Sequence, residues 1–205
     1  MIKSLTRSDV DAIIKTSPPG KNTKFLNASH SLWIRFNNYE KNAPIGYFLN
    51  EDAVSVAFAG FNRNGYANLY DIVTLEGRER KGYATALWDR WIHYAINERN
   101  SKNLKISCTP ESVTWHLRNG LVFWAVDPSG SLRSDQPLFP TREEQLVYQK
   151  WAIENGTEAA RNLLQKTQQQ FMNEGLDGRG FGVKKTLKIQ QAIDSVGKCW
   201  MRDFL

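Results

Sequence analysis

Leu69-Tyr-Asp-Ile-Val-Thr-Leu-Glu-Gly-Arg-Glu-Arg-Lys-Gly-Tyr-Ala-Thr-Ala-Leu87 carries the fold decision for this chain. Ile72, Val73 and Thr74 are β-branched and predict an extended segment. Glu76 to Gly82 form a charged, glycine-bearing turn. From Gly82 onward Ala84, Leu87, Trp91 and Ala95, with Trp88 beside them, recur at helical spacing and predict a helix packed on a sheet. Strand, basic turn and helix start in this order present unpaired backbone N–H groups, where the helix dipole favours an anion such as a phosphate.

Working outward, residues 2–5 predict a first strand. Thr6 or Ser8 caps a helix whose apolar face is Val10, Ile13 and Ile14. Pro18-Pro19-Gly20 ends that helix. Residues 31–37, Ser-Leu-Trp-Ile-Arg-Phe-Asn, have strand composition. Residues 44–48 and 53–59 predict a hairpin around Asn50-Glu51-Asp52, and residues 62–65 a second turn. Residues 66–75 are the long strand that reaches the basic turn. Beyond the helix, residues 103–108 read as a strand, 111–119 as a short helix and 132–139 as a last extended segment after a turn at 128–131. Thr141 with Glu144 three residues on is a capping-box pattern. Helices are expected over 142–154, 157–173 and 184–205, with a glycine-rich connector at 175–182. Short-linked strands followed by strand–helix–strand indicate an α/β domain with a mixed sheet.

Arg80-Lys-Gly-Tyr-Ala-Thr-Ala-Leu87 resembles the acyl-CoA-binding turn of the GNAT superfamily of N-acetyltransferases. The family pattern is Gln or Arg, two residues, Gly, one residue, then Gly or Ala. Gly82 and Ala84 match it; the first position falls on Glu79, flanked by Arg78 and Arg80. Gly120-Leu-Val-Phe123 resembles the family's Gly-Phe step, and the resemblance spans roughly residues 44–128. It implies a GNAT-like mixed central β-sheet flanked by helices over residues 1–140, with a helical C-terminal extension at 141–205. It also implies acetyl-CoA as donor and direct attack by an amine. The backbone of Ile72, Val73 and Thr74 would pair with the pantetheine arm like an added strand, with the Val73 N–H facing the thioester carbonyl. The amides of Arg80, Lys81, Gly82, Tyr83, Ala84 and Thr85 would cradle the diphosphate, with charge from Arg80 or Lys81.

Four residues before Gly120 many family members carry a tyrosine that protonates the leaving thiolate; this chain has His116, a residue suited to proton traffic near neutral pH. Ser112, one turn earlier, is a candidate to hold substrate or a water. Asp71 precedes the Ile-Val-Thr segment, and simple alternation gives it the face of Leu69 and Val73. A carboxylate on an otherwise apolar strand is a local inconsistency that nominates it as general base. Cys108 reads as a small buried hydrophobe, and His30 and His93 show no evident partner.

The chain is 41% hydrophobic and 23% charged, the composition of a globular domain. No apolar run approaches the ~18–20 residues of a membrane span. Two cysteines far apart indicate neither a disulfide framework nor a metal site, and residues 1–9 lack an apolar secretory core. The expectation is a cytoplasmic protein without membrane association. The net charge of +6 is spread along the chain and favours anionic partners in general. The acceptor amine stays open between a small molecule, a protein and, in a DNA-modifying variant of the reading, a nucleobase. A GNAT-fold module that binds nucleic acid or protein without catalysis is the non-enzymatic alternative. A homodimer also stays open.

Overall fold

Thr6 sets the start of helix α1 (Arg7–Thr16): its Oγ1 accepts the Asp9 N–H, and the Asp9 carboxylate accepts the Thr6 N–H at 2.8 Å. This reciprocal cap satisfies two N–H groups that a helix start leaves unpaired. In the computed structural model, residues 1–62, 64–123, 125–126, 131–152 and 154 are described. The expected elements at 157–173, 175–182 and 184–205, and part of the turn at 128–131, lie outside them. The chain divides into two compact units, Met1–Lys102 and Asn103–Leu205.

In the first unit β1 (Ile2–Ser4), β2 (Ile45–Leu49), β3 (Asp52–Phe61) and β4 (Ala67–Thr74) form an antiparallel array in that order. The β2–β3 hairpin turns on Asn50 and Glu51, both at positive φ (47° and 72°). Two left-handed central residues match the twist of the flanking strands. One expectation is overturned. Residues 31–35 belong to helix α2 (Lys21–Arg35), which ends at Phe36 instead of giving way to a strand. Leu26, His30 and Trp33 recur at three- and four-residue spacing and are buried, so the longer helical period outweighs the strand-like composition of a short window. Trp33 packs on Phe58, with ring centroids 5.4 Å apart, in a core that includes Val10, Leu26, Val56 and Val73. Burying side chains of this size contributes about 1.5–3 kcal/mol each.

His30, expected to lack a partner, joins three elements: Nδ1 lies 2.7 Å from the Tyr39 hydroxyl and Nε2 lies 2.9 Å from an Asp11 carboxylate oxygen. Helix α3 (Tyr83–Asn97) buries Leu87, Trp88, Trp91, Ile92 and Ala95, as its sequence period required.

A β-bulge breaks the alternation of β4. Phe58 pairs with Asp71 but Ala59 pairs with Leu69, so Tyr70 is the extra residue. Asp71 therefore does not share the face of Leu69, contrary to the expectation from alternation. It lies with Val73 on the α2 side of the sheet, where Tyr70 meets Trp33 edge-on at 5.2 Å.

The second unit contains β5 (Asn103–Cys108), α4 (Val113–Arg118), β6 (Ala125–Val126) and β7 (Leu132–Pro137), with β7 antiparallel to both other strands. Residues 142–152 form helix α5, capped by Thr141 and Glu144 as expected. Three buried glutamines hold the segment after α4 in place. Gln136 Oε1 accepts the Val122 N–H, Gln145 donates to the Gly120 carbonyl, and Gln149 donates to the carbonyls of Leu117 and Leu121 at 2.8 and 2.7 Å. Their amides replace the water that these buried backbone groups would otherwise need.

Candidate active site

The turn from β4 into α3 lies wholly in the first unit. Gly77, Arg80 and Gly82 have φ of 72°, 61° and 81°. Gly82 is the N-cap of α3, and a Cβ built on it meets nothing within 4 Å. Glycine is thus needed there for its left-handed backbone, and the space above it is open. Arg80 adopts the same region with a side chain, a strained state of the kind that gathers at functional sites.

The charges of this turn divide into two sets. Glu76 accepts the Asn22 N–H in the first turn of α2 at 2.5 Å, and Glu79 accepts a hydrogen bond from the Asn22 side-chain amide at 2.7 Å. The two carboxylates thus serve the start of α2, where the helix dipole favours them. Arg78 approaches Asp52 at 3.7 Å. Arg80 and Lys81 are exposed and make no ion pair among the described residues. The Glu79 departure from the family pattern accordingly comes with a carboxylate engaged by Asn22 and two neighbouring cations without an ion pair among the described residues. Tyr83 stacks on Tyr47 at 5.3 Å and anchors the first turn of α3. Ala84 and Thr85 follow it in that turn, and the Ala86 N–H is the first to reach back, to the Gly82 carbonyl at 2.9 Å.

β4 supplies the other part of the site. Leu75 donates its N–H to the Val54 carbonyl of β3, and Ile72, Val73 and Thr74 pair with Ala57, Val56 and Ser55. Alternation gives Val73 the same direction as Leu75, so its N–H points into the β3 ladder. This corrects the expectation that the Val73 amide faces a thioester: the N–H groups of Ile72 and Thr74 point to the opposite edge. Ser55 Oγ also donates to the Val73 carbonyl at 2.8 Å. Asp71, beside this segment, is half-buried and hydrogen-bonded to Ser29 of α2. Burial pushes its carboxyl above the usual range, against the opposing effect of that hydrogen bond.

The second unit carries the other two nominated residues. His116 is buried, edge-on to Trp115 at 4.8 Å and to Phe123 at 6.2 Å. Among the described residues its Nδ1 has no hydrogen-bond partner, nor has the Oδ1 of buried Asn119. Burial lowers the His116 pKa to about 4. That shift favours the uncharged imidazole at neutral pH, which weakens the case for His116 as the proton donor its position suggested. Ser112 donates its hydroxyl to the Thr109 carbonyl at 3.1 Å and also bonds Cys108, so it serves its own turn. Cys108 is buried and its thiol is pushed up to about 12, the inert small hydrophobe that was expected. The structure thus brings Asp71, Ile72–Thr74 and Arg80–Thr85 together along one strand, turn and helix start. Two features of this site were not legible beforehand: the bulge at Tyr70 and the Ser29 partner of Asp71. Both arise from pairing between distant segments.

Among the described residues no helix is long and apolar enough to cross a membrane, and no cluster of acidic, histidine or cysteine side chains could hold a metal ion. No curated protein matches the sequence. Solved structures do match the fold. The chain is similar to an aminoglycoside 6'-acetyltransferase type Ii at 10% identity, covering 69% of this chain and 99% of that one, with a TM-score of 0.55. It is similar to the ribosomal-protein-S18-alanine N-acetyltransferase from Escherichia coli at 15% identity, covering 67% and 93%, with a TM-score of 0.52. It is also similar to a spermidine N-acetyltransferase SpeG mutant from Vibrio cholerae at 12% identity, covering 71% and 95%, with a TM-score of 0.51. At such identities the likeness speaks for the fold, a mixed sheet flanked by helices. Residues 12–118, just over half the chain, match the family described as acetyltransferase (GNAT), and the chain belongs to that family.

Proposed function

We propose that this protein is an N-acetyltransferase that moves acetyl from acetyl-CoA to an amine by direct attack. The observation that carries the reading is the start of α3. There a left-handed Gly82 lies under open space, with Arg80 and Lys81 exposed and unpaired beside the first N–H groups of the helix. These groups fit a diphosphate, which takes backbone N–H donors and cations at a helix N-terminus. The acetyl donor supplies the activated thioester. Backbone N–H groups of Ile72 and Thr74, on the edge of β4 away from β3, pair with its amide-bearing arm and oppose the developing oxyanion. Asp71, its carboxyl raised by burial, takes the proton from the attacking amine as the C–N bond forms and the C–S bond breaks. His116 stays uncharged at neutral pH, so the thiolate receives its proton from solvent. A cytoplasmic setting agrees with the absence of a membrane-spanning helix among the described residues.

Thermal melting with CoA tests the site. Ligand at 100 times its Kd stabilises by about 2.7 kcal/mol, roughly 5–11 °C for a chain of this size. No shift at millimolar CoA refutes the reading. Mass spectrometry of polyamines, peptides and oligonucleotides incubated with labelled acetyl-CoA then assigns the acceptor class, a modified nucleobase amine included. CoA binding without transfer to any of them identifies a non-catalytic module.

A further inference from the structure

A cleft of about 310 Å³ opens in the first unit between the second half of α3 and the β1–β2 edge of the sheet. α3 begins at the turn described above; the cleft is lined by α3 residues from Arg90 onward. Its floor is Ala59 and Phe61, and Trp91 and Tyr94 form the α3 wall, with the Trp91 ring 6.2 Å from that of Phe61. Lys41, Arg90 and Arg99 line the same space, against a single carboxylate, Glu98. None of the three cations makes an ion pair among the described residues. Arg99 lies over Phe61, its guanidinium carbon 4.4 Å from the ring centroid, with Nη1 3.5 Å from the Tyr94 hydroxyl. Lys3 also borders the cleft, but its ammonium lies over Phe48. A Cβ at Gly60 would overlap the Asn42 side-chain amide, so Gly60 leaves that amide room at the rim.

Three cations without ion pairs among the described residues, set against one carboxylate, leave the concavity net positive and favour an anion. Their aromatic floor and wall favour a flat or apolar body. A volume at the lower end of the small-molecule range suits a small ligand. We infer that this cleft binds a small organic phosphate, its dianion facing Lys41, Arg90 and Arg99 and its body resting on Phe61 and Trp91. The site is separate from the turn at Gly82 and does not depend on acetyl transfer.

The test is calorimetric titration of the full chain with phenyl phosphate, repeated with phenol and in the presence of excess CoA. Saturable binding in the millimolar range or tighter is expected, unaffected by CoA and absent with phenol. Arg99→Gln and Lys41→Gln, both at exposed positions, should each weaken it about tenfold with melting temperature unchanged. No saturation in the millimolar range overturns the inference. Displacement by CoA, equal binding of phenol, or undiminished binding by both variants does the same. Displacement by a duplex oligonucleotide that binds more tightly overturns the small-molecule assignment.

Discussion

His116 offers the sharpest test of how burial governs this protein's chemistry. The residue is 5% exposed, its Nδ1 has no hydrogen-bond partner among the described residues, and burial lowers its pKa to about 4 from 6.5. The folded state therefore prefers the uncharged ring. Above pH 6.5 neither folded nor unfolded chain binds a proton there. Between pH 6.5 and 4 the unfolded chain binds one and the folded chain does not, so stability falls as pH falls through that window. The integrated loss is on the order of 3 kcal/mol. That corresponds to roughly 6–12 °C of melting temperature for a chain of this size. Carboxylates add their own acid sensitivity, so the decisive quantity is a difference. Wild type and His116→Leu are melted from pH 7.5 to 4, and the wild type should lose about 3 kcal/mol more. Proton resonances of the ring, among only three histidines in the chain, give the pKa directly. Parallel pH profiles for the two proteins, or a ring titrating near pH 6.5, would refute the reasoning and restore His116 as a candidate acid.

Asp71→Asn should lower kcat by about 10²–10⁴-fold if the carboxylate is the general base. The same change should leave the melting temperature at pH 7 equal or higher, because folding holds that carboxyl above its usual range and the amide removes the cost of ionising it. Arg80→Gly relieves a left-handed backbone and should stabilise the fold by about 1 kcal/mol, while weakening CoA roughly tenfold or more through the lost charge; calorimetry and melting read the two opposite signs. Gln149→Leu strips the donor from two buried carbonyls, those of Leu117 and Leu121, and should cost about 2–3 kcal/mol in urea unfolding.

The Thr6 and Thr141 caps, the hairpin at Asn50-Glu51, the strand at 67–74 and the glycine at the start of α3 follow from interactions within a few residues. Such local preferences are written directly in composition and spacing. The strand expected at 31–37 failed because a seven-residue window showed β-forming residues while a fifteen-residue one showed the helical period of Leu26, His30 and Trp33. Charge assignment in the β4–α3 turn was similarly divided: the basic cluster was visible, but the capture of Glu76 and Glu79 by α2 was not, since Asn22 lies far away in sequence.

By itself the sequence determined the family and the glycine-led turn into α3, because a left-handed glycine and the unpaired N–H groups of a helix start are properties of consecutive residues. Tertiary structure alone decided the direction of the Val73 amide, the face of Asp71 and the charge of His116. Each of these depends on a bulge, a strand register or a desolvated environment created by segments that meet only on folding, and no local pattern in the chain encodes them.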